Sequence, residues 1–189
     1  MAELSDPDPH RLADVCPMFS PGVSRLWAAW YTEPANPCRE ALHAVKYRFA
    51  PGLAAWMGAQ ARERVSAGER FDAVVAVPLH RVRLRERGFN QAEQIAAGVA
   101  GLCEEPLCRA LLRTEAGRSQ THRSSRDRRA LGPSAFRVVE AVAGMRLLLV
   151  DDVVTTGTTI NAAARALLGA GAAEVCGVSV AVSRRPGAP

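Results

Sequence analysis

The sequence predicts an α/β domain in which a mainly parallel sheet is flanked by helices, with a small helical or irregular hood at the N-terminus. Three observations lead there. The chain has 189 residues, 48% apolar and 23% charged, a balance suited to one globular domain with a real core. Short, nearly continuous apolar runs at 71–78 and 145–150 have the character of strands buried on both faces. Such runs alternate with segments of helical periodicity, the arrangement that generates parallel sheets. The same composition excludes other classes. No run of about 18 apolar residues is present to span a bilayer. Residues 1–10 are acidic and proline-bearing, unlike a secretory signal. Cys16, Cys38, Cys103, Cys108 and Cys176 are irregularly spaced rather than a disulfide framework, so a reduced cytoplasmic protein is expected.

Residues 1–36 read as an irregular arm whose Trp27, Trp30 and Tyr31 pack on the body, and residues 37–189 as the main domain. Helical spacing begins at Pro37, and Lys46-Tyr47-Arg48 ends that helix before Pro51. Pro51 suits the first turn of a second helix running to about Val65, with Leu53, Trp56 and Met57 inward. The run from Phe71 to Val77 is a buried strand. Arg81, Arg83, Arg85 and Arg87 alternate after it, and an extended backbone would project them on one side. Asn90 and Glu93 have capping-box spacing and open a helix that buries Ile95, Val99 and Leu102. Residues 106–112 read as a strand, 113–135 as a long functional loop, and Phe136 to Val139 as a short strand. Met145 to Val150 form a buried strand, and the helix marked by Ile160, Ala163, Ala164, Leu167 and Leu168 ends at Gly169 and Gly171. Val175 to Val182 supply a last strand.

Charge is unevenly spread over these elements. The formal net charge is +5, and residues 113–129 hold six arginines against Glu115 and Asp127. A concentrated basic loop suggests contact with anions. Lys46 is the only lysine among 24 basic residues, which singles it out where a compact ammonium is wanted.

The chemistry concentrates where the 145–150 strand runs into Asp151-Asp152 and then Val153-Val154-Thr155-Thr156-Gly157-Thr158-Thr159. Ligands of open α/β sheets sit beyond the carboxyl ends of the strands. A turn that exposes successive N–H groups at a helix start suits a phosphate monoester, and Gly157 allows close backbone approach. Two carboxylates beside that phosphate suit the vicinal hydroxyls of a ribose. Together these residues describe a site for a phosphorylated sugar. The blander alternative is that the two acids merely end a strand and cap a helix.

The Asp151–Thr159 segment resembles the phosphoribosyl-pyrophosphate (PRPP) motif of type I phosphoribosyltransferases. Val77-Pro78-Leu79-His80-Arg81, continuing through Arg87-Gly88-Phe89-Asn90-Gln91, resembles the signature of the ComF family of competence-associated proteins. The stretch from Gln120 through Arg123 to Arg129 resembles that family's flexible loop. The resemblance implies the phosphoribosyltransferase fold, with Asp151 and Asp152 as the catalytic, ribose-holding pair and residues 153–159 on the 5-phosphate. It implies a pyrophosphate subsite drawn from Lys46, Leu79, His80, Arg81 and Arg87, closed by a loop carrying Gln120, Arg123, Arg126 and Arg128. Magnesium would be held by the ligand rather than by a protein metal site. Many relatives begin with a four-cysteine zinc ribbon; the N-terminal stretch here holds only Cys16 and Cys38, with no Cys-x-x-Cys pair, so that ribbon is expected to be absent. The partners implied are PRPP or ribose 5-phosphate, with single-stranded DNA, DNA-uptake proteins and a second copy of the chain left open. The leading reading is a phosphoribosyltransferase, and the alternative is a non-catalytic DNA-handling or nucleotide-sensing adaptor. No residue stands out in the sequence as a reader of the acceptor base.

Overall fold

The computed structural model describes residues 22–32, 36–103, 105–114 and 135–183. Five parallel strands form the central sheet: β1 (Leu26–Thr32), β2 (Ala73–Ala76), β3 (Leu107–Cys108), β6 (Arg146–Val154) and β7 (Glu174–Ser183), in the order β1-β7-β6-β2-β3. A separate antiparallel pair is made by β4 (Leu111–Arg113) and β5 (Phe136–Val138). The helices are α1 (Pro37–Tyr47), α2 (Pro51–Arg62), α3 (Arg81–Arg87), α4 (Gln91–Ala100) and α5 (Thr158–Gly169). None of these helices is long and apolar enough to cross a membrane.

The sheet splits the core in two. On one face Leu147, Leu149 and Val175 pack with Ile160, Ala163 and Leu167 of α5. On the other, Leu148, Val150, Val178 and Val180 meet Leu42 and Val45 of α1, Met57 of α2, and Ile95 and Val99 of α4. Period-2 alternation of branched side chains, covered on both faces, is what makes β6 and β7 continuous apolar runs. Each fully buried Leu, Ile or Val contributes roughly 1.5–3 kcal/mol relative to exposure. Helices α2 and α4 approach closely through two glycines. A Cβ on Gly58 would lie 2.1 Å from the Ile95 carbonyl oxygen, and one on Gly98 would lie 1.9 Å from that of Ala55.

Five readings are corrected. Residues 26–32 belong not to an irregular arm but to the edge strand β1, registered on β7 from Leu26 opposite Gly177 to Thr32 opposite Ser183, so one sheet crosses the 36/37 boundary. Alanines between tryptophans carry little strand propensity, and burial against the sheet decides the conformation. The 81–87 segment is helical rather than extended. His80 caps it, its Nδ1 accepting the Val82 N–H at 3.3 Å, and Gly88 ends it in the left-handed region at φ 78°. Trp56 is 49% exposed and stacks on Trp30 at 5.8 Å, and Leu102 lies outside α4 and is exposed. The 106–112 run is two strands in two different sheets. Gln120, Arg123, Arg126 and Arg128 lie outside the described residues.

Candidate functional site

Strand β6 sits between β7 and β2 and extends four residues beyond its last pairing with β2, carrying Asp151 and Asp152 clear of that neighbour. Asp152 is buried and held from several sides. Its Oδ2 accepts from the Lys46 ammonium at 2.9 Å and from Gln91 Nε2 at 3.0 Å, while Oδ1 accepts the Val153 N–H at 2.7 Å. Helix α1 delivers Lys46 because Asn36 caps its start, Oδ1 accepting the Cys38 N–H at 2.8 Å, while Leu42 and Val45 anchor its inner face. Helix α4 delivers Gln91 in the same way. Asn90 Oδ1 accepts the Ala92 N–H at 3.2 Å, and its amide donates to the Val77 carbonyl at 3.2 Å, tying the helix start to the end of β2. Arg87 continues the network by donating to Gln91 Oε1 at 2.9 Å, with its guanidinium 5.2 Å from the Tyr47 ring centre.

Asp151 differs from its neighbour. Its Oδ1 accepts the Asp152 N–H at 2.9 Å. Enclosure of the carboxyl and the adjacent Asp152 charge hold its pKa well above the usual carboxylate range, opposed by Lys46. Arg113 of β4 senses the same carboxylate. Partial burial lowers the guanidinium pKa and Asp151 raises it.

The turn after β6 follows from its composition. Gly157 takes φ 73°, which a side chain would resist, and its carbonyl accepts the Asn161 N–H at 2.9 Å as α5 begins. Gly157 has no side chain to cap α5; the Thr158 N–H donates to Thr156 Oγ1 at 3.5 Å, and the Thr156 and Thr158 hydroxyls lie 2.8 Å apart at the start of this 12-residue helix. A cavity of about 640 Å³ opens nearby, bounded by Leu79, Arg81, Leu84, Asn90, Leu111 and Arg113. A second, of about 480 Å³, is lined by Leu79, His80, Val82, Arg83, Glu86 and Arg113.

The structure thus divides the predicted anion-binding residues. Lys46 and Arg87 join the Asp152 network, whereas Leu79, His80 and Arg81 line the neighbouring cavities. Residues 153–159 follow directly along β6, the turn and the start of α5. Three contributors went unassigned in the sequence. Gln91 is a polar side chain in the first turn of a helix and only 4% exposed, a burial that its neighbours Ala92 and Ile95 foreshadow. Arg113 was counted only as loop charge. Tyr47 is visible beside Lys46 but carries no signal of its guanidinium partner. No group of three or more metal-ligating side chains occurs among the described residues.

A family model described as phosphoribosyl transferase domain matches residues 61–188. The DNA utilization protein YhgH of Escherichia coli O157:H7 is 40% identical over 113 residues, 55% of this chain and 46% of that one. The competence protein ComFC of Bacillus subtilis (strain 168) is 36% identical over 106 residues, covering 56% and 42%. The competence protein F of Haemophilus influenzae is 32% identical over 108 residues, covering 55% and 47%. The chain therefore spans about half the length of the curated relatives it matches. Among solved structures, the glutamine PRPP amidotransferase of B. subtilis, complexed with ADP and GMP, shares the fold at TM-score 0.50 and 22% identity, covering 72% of this chain and 30% of that one. With the family match over residues 61–188, the parallel sheet and the ComF-type relatives, the chain belongs to the phosphoribosyl transferase domain family as a ComF-like member.

Proposed function

We propose that this protein binds PRPP or ribose 5-phosphate and, from PRPP, transfers the phosphoribosyl group to a nitrogen nucleophile. The observation that carries the reading is the sequence of groups at the end of β6. Two carboxylates, one neutralised by Lys46 and one not, lead directly into an uncapped helix start with a left-handed glycine. The 5-phosphate would take the N–H groups and hydroxyls of residues 155–159, and the ribose hydroxyls would meet Asp151 and Asp152. Arg81 with Arg113 on one side, and Lys46 with Arg87 on the other, would neutralise pyrophosphate, with the backbone at Leu79 and His80 lining the same cavities. In the transfer, the nitrogen–C1′ bond forms as the C1′–oxygen bond to pyrophosphate breaks. The electron pair leaves with pyrophosphate, and the nucleophile's proton passes to solvent. Catalysis would come from positioning and from stabilising the departing charge. Two carboxylates, one already paired, suit a magnesium ion carried mainly by the ligand's phosphate oxygens. That ion would supply further charge neutralisation.

Calorimetry of the full chain with PRPP and Mg²⁺ tests the reading. Asp151→Asn should weaken binding by about tenfold or more, the loss of a charge-assisted hydrogen bond worth about 1.5–3 kcal/mol. Equal affinities would remove the ribose assignment. A second reading, handling of single-stranded DNA in uptake, is favoured by the names of the relatives and by exposed Arg81, Arg83 and Arg85 on α3. It requires oligonucleotide affinity that falls with salt, with a log–log slope of about −0.7 per phosphate neutralised. The four unpaired thiols among the described residues suit a reducing, cytoplasmic setting.

A further inference from the structure

We infer that Gln91 is a positioning residue that couples the two halves of the proposed site. Through it the Arg87 guanidinium, on the pyrophosphate side, governs how firmly Asp152 is held for the ribose. The inference rests on the sugar-site reading above and adds a dependence which that reading does not require. Gln91 is the first residue of α4 and only 4% exposed, although glutamine is mostly a surface residue. Both ends of its amide are engaged. Oε1 accepts from Arg87 Nη1 at 2.9 Å, and Nε2 donates to Asp152 Oδ2 at 3.0 Å. A cation and an anion thus meet opposite ends of one neutral group. This fixes the amide's orientation, because a flipped one would set its NH2 against a guanidinium and its carbonyl against a carboxylate. The residue type follows from the same chemistry. A glutamate here would repel Asp152, a lysine or arginine would repel Arg87, and a leucine would leave both bonds unmade. The amide joins the two charges and cancels neither, so Arg87 keeps its charge for an incoming anion. Bonds in such a chain polarise one another, and the guanidinium on Oε1 makes the Nε2–H a stronger donor to Asp152.

The two ends of this relay come from different elements. Asp152 is carried by β6, and Arg87 by the last turn of α3, where its guanidinium lies 5.2 Å from the Tyr47 ring centre. Gly88 ends α3 in the left-handed region, and Asn90, which caps α4, donates to the Val77 carbonyl just past β2. This short junction sets Arg87 against Gln91. Lys46 and Gln91 then act differently on the same Asp152 oxygen. The lysine supplies charge from a flexible stem, whereas the planar amide, itself held at its far end, supplies direction. A group that draws Arg87 away from Gln91 therefore changes the aim of a carboxylate it never touches.

Ribose 5-phosphate is the probe, because it carries no pyrophosphate for Arg87 to hold. Calorimetry on the full chain should show Arg87→Met and Gln91→Leu each weakening it about 3- to 30-fold, the range for residues along a coupled network. The double variant should bind no more weakly than Gln91→Leu alone, since the effect of Arg87 travels through Gln91. Gln91→Glu matches the glutamine in shape and should still lose affinity, which a packing role does not predict. Arg87→Lys can donate to Oε1 and should recover most of what Arg87→Met loses. Thermal melting reports the folding of each variant separately, and the partly exposed Arg87 pair remains informative should Gln91→Leu fold poorly. If Arg87→Met binds ribose 5-phosphate like the wild type, Gln91 relays nothing and the inference falls. If the two losses multiply in the double variant, Arg87 acts on the sugar phosphate directly, and the inference falls while the sugar site stands. If ribose 5-phosphate fails to bind the wild type, the sugar-site reading is wrong and the inference falls with it.

Discussion

Replacing Lys46 by methionine should destabilise the fold by about 2–3 kcal/mol, although the lysine lies in the proposed ligand site. The magnitude follows from how the pair is buried. Breaking a fully buried ion pair by removing one partner costs about 3–5 kcal/mol, whereas an exposed pair is worth about 0–1. The Lys46 side chain is 23% exposed and that of Asp152 only 9%, placing the pair nearer the buried limit. The cost stops short of that limit because Gln91 and the Val153 N–H still reach the abandoned carboxylate. Methionine keeps the packing of the aliphatic stem, so the loss reports charge rather than volume. Urea unfolding of Lys46→Met, Asp152→Asn and the double variant measures it. The double variant should be more stable than the sum of the singles predicts by at least about 1 kcal/mol, since each single substitution strands the other partner. Additive losses, or a Lys46→Met variant within about 0.5 kcal/mol of wild type, would refute the view that this lysine is the counterion of Asp152.

Two further outcomes test other parts of the structure. Asp151→Asn should melt above the wild type at pH 8, because the native pKa of Asp151 is raised by burial and by Asp152. A carboxyl of that kind contributes fully below its unfolded pKa of about 3.9 and loses that contribution as pH rises through the native value, so the gap should close toward pH 4; a lower melting point at pH 8 would contradict the assignment. Gly98→Ala should cost about 1–3 kcal/mol or more by forcing α4 off the Ala55 carbonyl. Gly52→Ala, with nothing within 4 Å of the new Cβ, should instead raise stability by up to about 1 kcal/mol; equal effects in urea titrations would discount the close α2–α4 approach.

The legible parts of the sequence were those where local pattern and tertiary demand agree. The run into Asp151-Asp152 and the Thr-Gly turn announces a strand, a strand-end pair of carboxylates and a helix start within 13 residues, 147–159. Asn90 with Glu93 marks α4 for the same reason. Segment 81–87 shows the opposite case. Its Arg-Val-Arg-Leu-Arg-Glu-Arg order imitates the period of a half-buried strand, yet none of its residues is buried, so the pattern had no core to serve. Its helical state is set by the flanking His80 and Gly88. Strand β1 was illegible because Ala28 and Ala29 are held by the sheet rather than by their own preference. Gln91 and Lys46 needed the fold itself. They meet at an aspartate 61 residues from the first and more than 100 from the second, and no local spacing encodes that meeting.

The two adjacent acids are not interchangeable once their acceptor positions are counted. An ionised carboxylate offers about four. Asp152 has committed three, to Lys46, Gln91 and the Val153 N–H, while the bond seen at Asp151 is the one from the Asp152 N–H. A vicinal diol arriving at the site therefore finds its open acceptors chiefly on Asp151. Asp152 can take a hydroxyl without displacing Lys46 or Gln91 only through its remaining Oδ1 position. The division also explains the electrostatics. Lys46 already answers one negative charge, and burial with the Asp152 charge holds the Asp151 pKa up; under the proposed function a hydroxyl donor or ligand-borne cation would ease its ionisation. Under the proposed function, Asp151 would be the acid that meets the ligand, and Asp152, held by Lys46 and Gln91, the anchor that positions it.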